Sequence, residues 1–170
     1  MLDKAAYLAT EVGQPELANS FAELRRKYQK SVTCAFYDDK TGSFAGGVQG
    51  ADAFALAAGL GDERTLTNLV NKYTADCRFD TGFIGTYVLV EQLIAHGKTD
   101  LAFDLLSATK KGSFGYLKRL GENTIWEYLD TKWCSHAHPM FGAVAEFLPI
   151  RLLSSHTDGY PAAEIRLCTR

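Results

Sequence analysis

The chain has 170 residues, 46% apolar and 22% charged, with a formal net charge of −2. This is the balance of folded globular material, long enough for one hydrophobic core and short for two, and it excludes extended disorder. Lys and Arg are scattered rather than gathered into a basic stripe, so nucleic acid and anionic membrane surfaces are not expected as partners.

No run approaches the roughly 20 apolar residues that span a bilayer, and the start, Met1 to Ala6, lacks the basic-then-apolar layout of a secretory signal. A soluble chain is expected, with the cytoplasm as the default compartment. Cys34, Cys77, Cys134 and Cys168 lie far apart without a CxxC pair and read as reduced thiols. Cys134, His136 and His138 are metal-ligand types, but no fourth ligand stands at conventional spacing, so neither a metal nor any other cofactor is predicted.

In chain order, residues 3–12 read as a helix ended by Gly13, and Pro15 suits the first turn of a second helix. Leu17, Phe21, Leu24 and Tyr28 recur there at helical spacing, so the two should form a hairpin. Residues 36–47, rich in Asp, Thr and Gly, predict a long turn. Ala51–Leu60 predicts a deeply buried helix with small apolar residues on several faces, and Gly61-Asp62 breaks it before a helix over 63–77. Asp80 to Thr86 reads as a glycine-bearing loop leading into a helix over 87–95 that Gly97 closes. Asp100 then caps a helix through about Ala108. A short helical piece runs from Gly112 to Gly121, and Pro139 or Met140 begins a last helix to about Leu153. The total is roughly seven helices, an all-α chain.

The chemistry concentrates between residues 124 and 142. Trp126 stands beside Glu127, and His136 and His138 follow closely. An indole offers a flat apolar face to the C–H side of a pyranose, and a partly desolvated glutamate beside it can take a proton from water. This combination suits sugar chemistry. Taken singly, Trp126 equally reads as a core aromatic, Glu127 as a solvated carboxylate, and His136 and His138 as ordinary packed histidines.

Helical hairpins alternating with aromatic, glycine-bearing loops describe an α/α toroid, with the site where one set of loops gathers. At this point the chain resembles a known family. Phe36-Tyr37-Asp38, Gln49 to Leu56, Thr81-Gly82-Phe83-Ile84-Gly85-Thr86, Leu101 to Leu106, Phe114-Gly115-Tyr116, Thr124-Ile125-Trp126-Glu127 and Ser135-x-x-His138-x-x-Phe141-Gly142 are similar, in order, to blocks of the bacterial inverting α-L-rhamnosidases. The resemblance covers about residues 3 to 153 and is to the C-terminal half of their catalytic domain.

The resemblance implies part of an (α/α)6 barrel over 1–155, followed by a tail, 156–170, holding at most a short β remnant. It implies Glu127 as general base, Trp126 as an apolar wall, His138 as a hydrogen-bonding residue, and Tyr37, Phe83 and Tyr116 as further wall residues around a terminal L-rhamnose. The family draws its general acid from the N-terminal half, which has no counterpart here; among Asp38, Asp39, Asp52, Asp80 and Glu91 the sequence nominates no replacement. A homodimer or a complementary half-barrel chain is therefore the expected partner. Two readings stay open, a glycoside hydrolase fragment and a non-catalytic helical module that binds carbohydrate or a complementary subunit; a toroidal hydrolase or lyase of another specificity shares the architecture.

Overall fold

The computed structural model describes residues 1–149. The end of the expected last helix, the boundary at 155 and the tail over 156–170 lie outside the described residues. The chain divides into two compact units, Met1–Lys72 and Tyr73 onward.

The first unit opens with the expected hairpin, α1 (Leu2–Glu11) and α2 (Pro15–Phe36). Gly13, at φ +72°, lets the chain reverse, and Gln14 N–H donates to the Ala9 carbonyl (2.8 Å) to close the end of α1. Pro15 starts α2 where a missing N–H is harmless. The Asp3–Arg25 ion pair (2.9 Å) ties the two helices. α2 runs for 22 residues without burying one, leaving Leu17, Leu24, Tyr28 and Phe36 exposed.

The turn expected over 36–47 contains a small sheet: β1 (Tyr37–Asp38) pairs antiparallel with β2 (Ser43–Phe44), in the register Tyr37 opposite Phe44. Asp38 organises the reversal, its Oδ1 accepting Lys40 N–H (2.9 Å) and its carbonyl accepting Gly42 N–H (2.7 Å). Ala45–Gly50 winds as a distorted 3-10 segment, with Ala45, Gly46, Gly47, Gln49 and Gly50 at positive φ. α3 (Ala51–Ala57) is shorter than expected and buries Asp52, Ala53 and Ala55, while Phe54 stays 43% exposed. α4 (Glu63–Asp76) starts on the break read at Gly61-Asp62, since Asp62 Oδ1 accepts the backbone N–H of Arg64 and Thr65 (both 2.9 Å). The boundary between the units falls within α4.

In the second unit, α5 (Phe83–Ala95), α6 (Thr99–Ser107), α7 (Phe114–Arg119) and a 3-10 segment, Pro139–Phe147, surround a core of Leu89, Val90, Leu93, Ala102, Leu105, Leu117, Phe141, Val144 and Phe147. α5 begins four residues before the expected 87: Thr86 N–H already donates to the Gly82 carbonyl (2.8 Å), and the Thr81 and Thr86 hydroxyls share a buried hydrogen bond (2.7 Å). Packing of that first turn offsets the roughly 1 kcal/mol that Gly85 costs a helix. α6 starts at Thr99, so Asp100 lies inside the first turn rather than at the cap, where its charge still complements the helix dipole. The last helix is wound as 3-10 through Phe147 rather than as an α-helix. The described residues thus hold seven α-helices and one two-stranded sheet. None of these helices is long and apolar enough to cross a membrane.

Candidate functional site

Between α7 and the 3-10 segment the chain folds back on itself. Glu127 N–H donates to the Ser135 carbonyl (2.8 Å) and His138 N–H to the Ile125 carbonyl (2.7 Å), so 125–127 and 135–138 run alongside each other in opposite directions. This pairing sets the main chain of His138 against Ile125 and that of Ser135 against Glu127, on either side of Trp126. Gly112 moors the fold-back: its N–H donates to the Leu129 carbonyl (3.1 Å), and its own carbonyl accepts Phe79 N–H (2.9 Å). A side chain does not fit at Gly112, which has φ +88° and would place a Cβ 3.1 Å from the Phe79 carbonyl oxygen.

Trp126 is 1% exposed, and its indole Nε1 is buried without a hydrogen-bond partner among the described residues. The His136 imidazole lies flat on the indole, ring centroids 3.9 Å apart and planes 12° from parallel. Glu127 is half-buried, and one of its carboxylate oxygens accepts Ser135 N–H at 3.3 Å. Its main chain and side chain are thus both engaged by residue 135.

His138 is half-buried, and its buried Nε2 has no hydrogen-bond partner among the described residues. Phe83, at the start of α5, packs its ring 5.5 Å from the His138 ring and 6.3 Å from that of Phe141. Phe114 meets Phe141 edge-on at 5.8 Å and Phe79 at the same distance. The outcome is a nest of aromatic rings beside the fold-back, with nitrogens on Trp126 and His138 that have no partner among the described residues. Buried polar atoms are almost always hydrogen-bonded in native proteins, so each of these nitrogens has room for a partner from outside the described residues. Tyr116 sits half-buried on α7, two residues beyond Phe114.

Tyr37 belongs to the first unit. There its hydroxyl donates to Asp62 Oδ2 (2.8 Å) and accepts from the Arg64 guanidinium (2.6 Å). Hydrogen bonds from Thr65 N–H, then from Tyr37, hold the Asp62 carboxyl well below the usual carboxylate range. Tyr37 is raised in turn, chiefly by its bond to Asp62. Asp52, one of the acids the sequence left undistinguished, is buried and accepts Phe44 N–H (2.7 Å); burial pushes its carboxyl up, against the Phe44 and Ser43 hydrogen bonds and the Lys72 charge. It joins α3 to β2. Asp80 accepts the Tyr73 hydroxyl (2.6 Å) in the second unit.

His136 was read from sequence as an ordinary packed histidine, yet it stacks on the central indole. The only signal for it is its nearness to Trp126 in the chain, because the stacking depends on the fold-back. The described residues contain no group of three His, Cys, Asp or Glu placed to hold a metal.

Residues 1–152 match the family model for the bacterial alpha-L-rhamnosidase 6 hairpin glycosidase domain. The chain is 29% identical over 161 residues to an alpha-L-rhamnosidase of Streptomyces avermitilis, which covers 86% of this chain and 15% of that one. It is 30% identical over 135 residues to an alpha-L-rhamnosidase of an Alteromonas species, covering 76% of this chain and 14% of that one. The crystal structure of the Streptomyces avermitilis enzyme complexed with L-rhamnose superposes with a TM-score of 0.77 at 29% identity, over 86% of this chain and 16% of that one. The alpha-L-rhamnosidase of Aspergillus terreus gives the same TM-score at 24% identity, over 86% of this chain and 19% of that one, a likeness of fold. The chain spans less than a fifth of the length of these relatives.

Proposed function

Since the chain belongs to the six-hairpin glycosidase domain family of bacterial α-L-rhamnosidases, we propose that it carries the general-base side of an inverting rhamnosidase site, with Glu127 as the base. One observation carries the reading: inside the family domain, the fold-back of 135–138 on 125–127 holds the half-buried Glu127, its carboxylate accepting Ser135 N–H, in the same stretch as Trp126. Glu127 in its ionised form deprotonates a water, which attacks the anomeric carbon of a terminal α-L-rhamnoside. The proton goes to the carboxylate, the glycosidic C–O bond breaks, and a general acid on the opposite face protonates the leaving oxygen. Inverting hydrolysis sets the two carboxyl groups about 6.5 to 9.5 Å apart.

His138 hydrogen-bonds a sugar hydroxyl through Nε2, and Phe83, Tyr116 and Trp126 supply the apolar lining. The acid comes from a segment outside this chain, through either the remaining hairpins of the toroid or a second copy. The bare face of α2 supports such a partner, since Leu17, Leu24, Tyr28 and Phe36 are apolar surface that a neighbouring hairpin would cover. That same exposed face favours the second reading, a non-catalytic half-barrel module that binds carbohydrate or a complementary subunit.

The test is hydrolysis of a chromogenic aryl α-L-rhamnoside by the purified chain beside its Glu127→Gln variant. Aryl release that disappears in the variant is the expected result. Release that survives at a near-normal rate would remove Glu127 as base, and no release by either folded protein would favour the non-catalytic module.

A further inference from the structure

We infer that His136 is a displaceable cover on Trp126, so that a sugar ring stacking at this site must first lift the imidazole away. The inference rests on the rhamnosidase reading above for the identity of the sugar, but the cover itself is a property of the fold-back.

Trp126 is almost fully buried, whereas His136 is an exposed residue whose ring lies flat on the indole. An exposed imidazole therefore covers one face of a buried indole. It is an aromatic plate of about the breadth of a pyranose face, seated where a pyranose would stack. Its hold is light: beyond the stacking, His136 Nε2 donates to the Lys132 carbonyl at 3.1 Å.

The segment that carries it has no regular structure, and Lys132, Trp133, Ser135, His136 and Ala137 are all exposed. Trp133, its one large apolar side chain, is 93% exposed and anchors nothing. A segment with few buried contacts opens at little free-energy cost. The same segment also sends Ser135 N–H to the Glu127 carboxylate at a long 3.3 Å. Lifting the segment, at the cost of the Glu127 N–H bond to the Ser135 carbonyl (2.8 Å), would free the indole face and one carboxylate oxygen together, the two surfaces that the proposed chemistry needs.

A ligand that binds only the uncovered form has its affinity reduced by the fraction covered. Removing the imidazole should therefore strengthen sugar binding, the opposite of what deleting a sugar contact would do. The expected gain is about fivefold, the equivalent of about 1 kcal/mol for one aromatic stacking contact at tenfold per 1.4 kcal/mol.

The chain has two tryptophans, so Trp133→Phe leaves Trp126 as the lone indole emitter. In that background we would compare His136, His136→Ala and His136→Phe for acrylamide quenching and for L-rhamnose affinity. The expected result is markedly greater acrylamide access and about fivefold tighter L-rhamnose binding in His136→Ala. His136→Phe, which keeps a ring on the indole, should stay shielded and bind no more tightly than its parent. Unchanged acrylamide access in His136→Ala would overturn the cover. Weaker L-rhamnose binding in that variant would do so too, by making His136 a sugar contact. If L-rhamnose binds to none of the three, the rhamnosidase reading falls and the acrylamide comparison alone decides the cover.

Discussion

Gly115 leaves almost no room for a side chain, and Gly115→Ala measures how tightly α7 is docked. A Cβ there would lie 2.5 Å from the Ala108 carbonyl oxygen and 3.0 Å from Thr109 Cγ2. The first neighbour is backbone, and Gly115 N–H is itself donated to that carbonyl (3.1 Å), so it cannot swing aside without breaking the bond. Overpacking of this kind costs about 1–3 kcal/mol, against which Ala regains up to about 1 kcal/mol of helix propensity. The net loss should be about 1–2 kcal/mol, or roughly 2–8 °C in Tm for a domain of this size. Gly142→Ala is the internal control, because a Cβ there meets only Ile125 Cδ1 at 3.8 Å, an ordinary contact. Urea unfolding of the three proteins decides it. A Gly115→Ala variant as stable as the parent, or a Gly142→Ala variant equally weakened, would refute the reasoning.

The core of the second unit can be probed at Leu89, which is fully buried on α5; Leu89→Ala should lose about 2–5 kcal/mol by denaturation, whereas Leu148→Ala, half exposed, should change little. Asp62 has its carboxyl depressed by Thr65 N–H and Tyr37, so its charge stabilises the fold above the unfolded Asp value of about 3.9, and that contribution is lost as pH falls through the lower folded value. The Tm gap between wild type and Asp62→Asn, which keeps a capping side chain, should be full at neutral pH and shrink below about pH 4; a gap unchanged down to pH 2 would contradict this. Tyr87 donates its hydroxyl to Glu146, which pushes it up to about 12. Its contribution is present below about pH 10 and lost as pH rises through the folded value, so any advantage of wild type over Tyr87→Phe should fade on alkaline titration rather than grow.

Glycine and proline punctuation made most of the helical skeleton legible. Gly13 and Pro15 frame the α1–α2 hairpin through their own backbone geometry, and Asp62 marks the start of α4 by capping the N–H groups two and three residues on, so none of them needs a distant partner. The same rule misplaced the start of α5, where Gly82 and Gly85 read as loop. Inside a packed first turn, the Thr81–Thr86 hydrogen bond outweighs the weak intrinsic preference of glycine. The two-residue strands at Tyr37–Asp38 and Ser43–Phe44 are too short to show a period, so their pairing emerges only from the turn that Asp38 organises.

At the site, the residue types and their order along the chain identified the family, because chemistry and spacing are written locally. Their arrangement was settled by folding. The two backbone hydrogen bonds between 125–127 and 135–138 set His136 on the Trp126 indole and Ser135 against the Glu127 carboxylate. No local pattern encodes that contact, since it exists only once the chain between Tyr128 and Cys134 has turned back. The burial of Trp126 likewise comes from its surroundings rather than from its neighbours in sequence. Composition and motif determine which groups this protein has to work with; the tertiary fold determines which of them are covered, held or left open, because only closing the chain brings residues far apart in sequence within hydrogen-bonding and stacking distance.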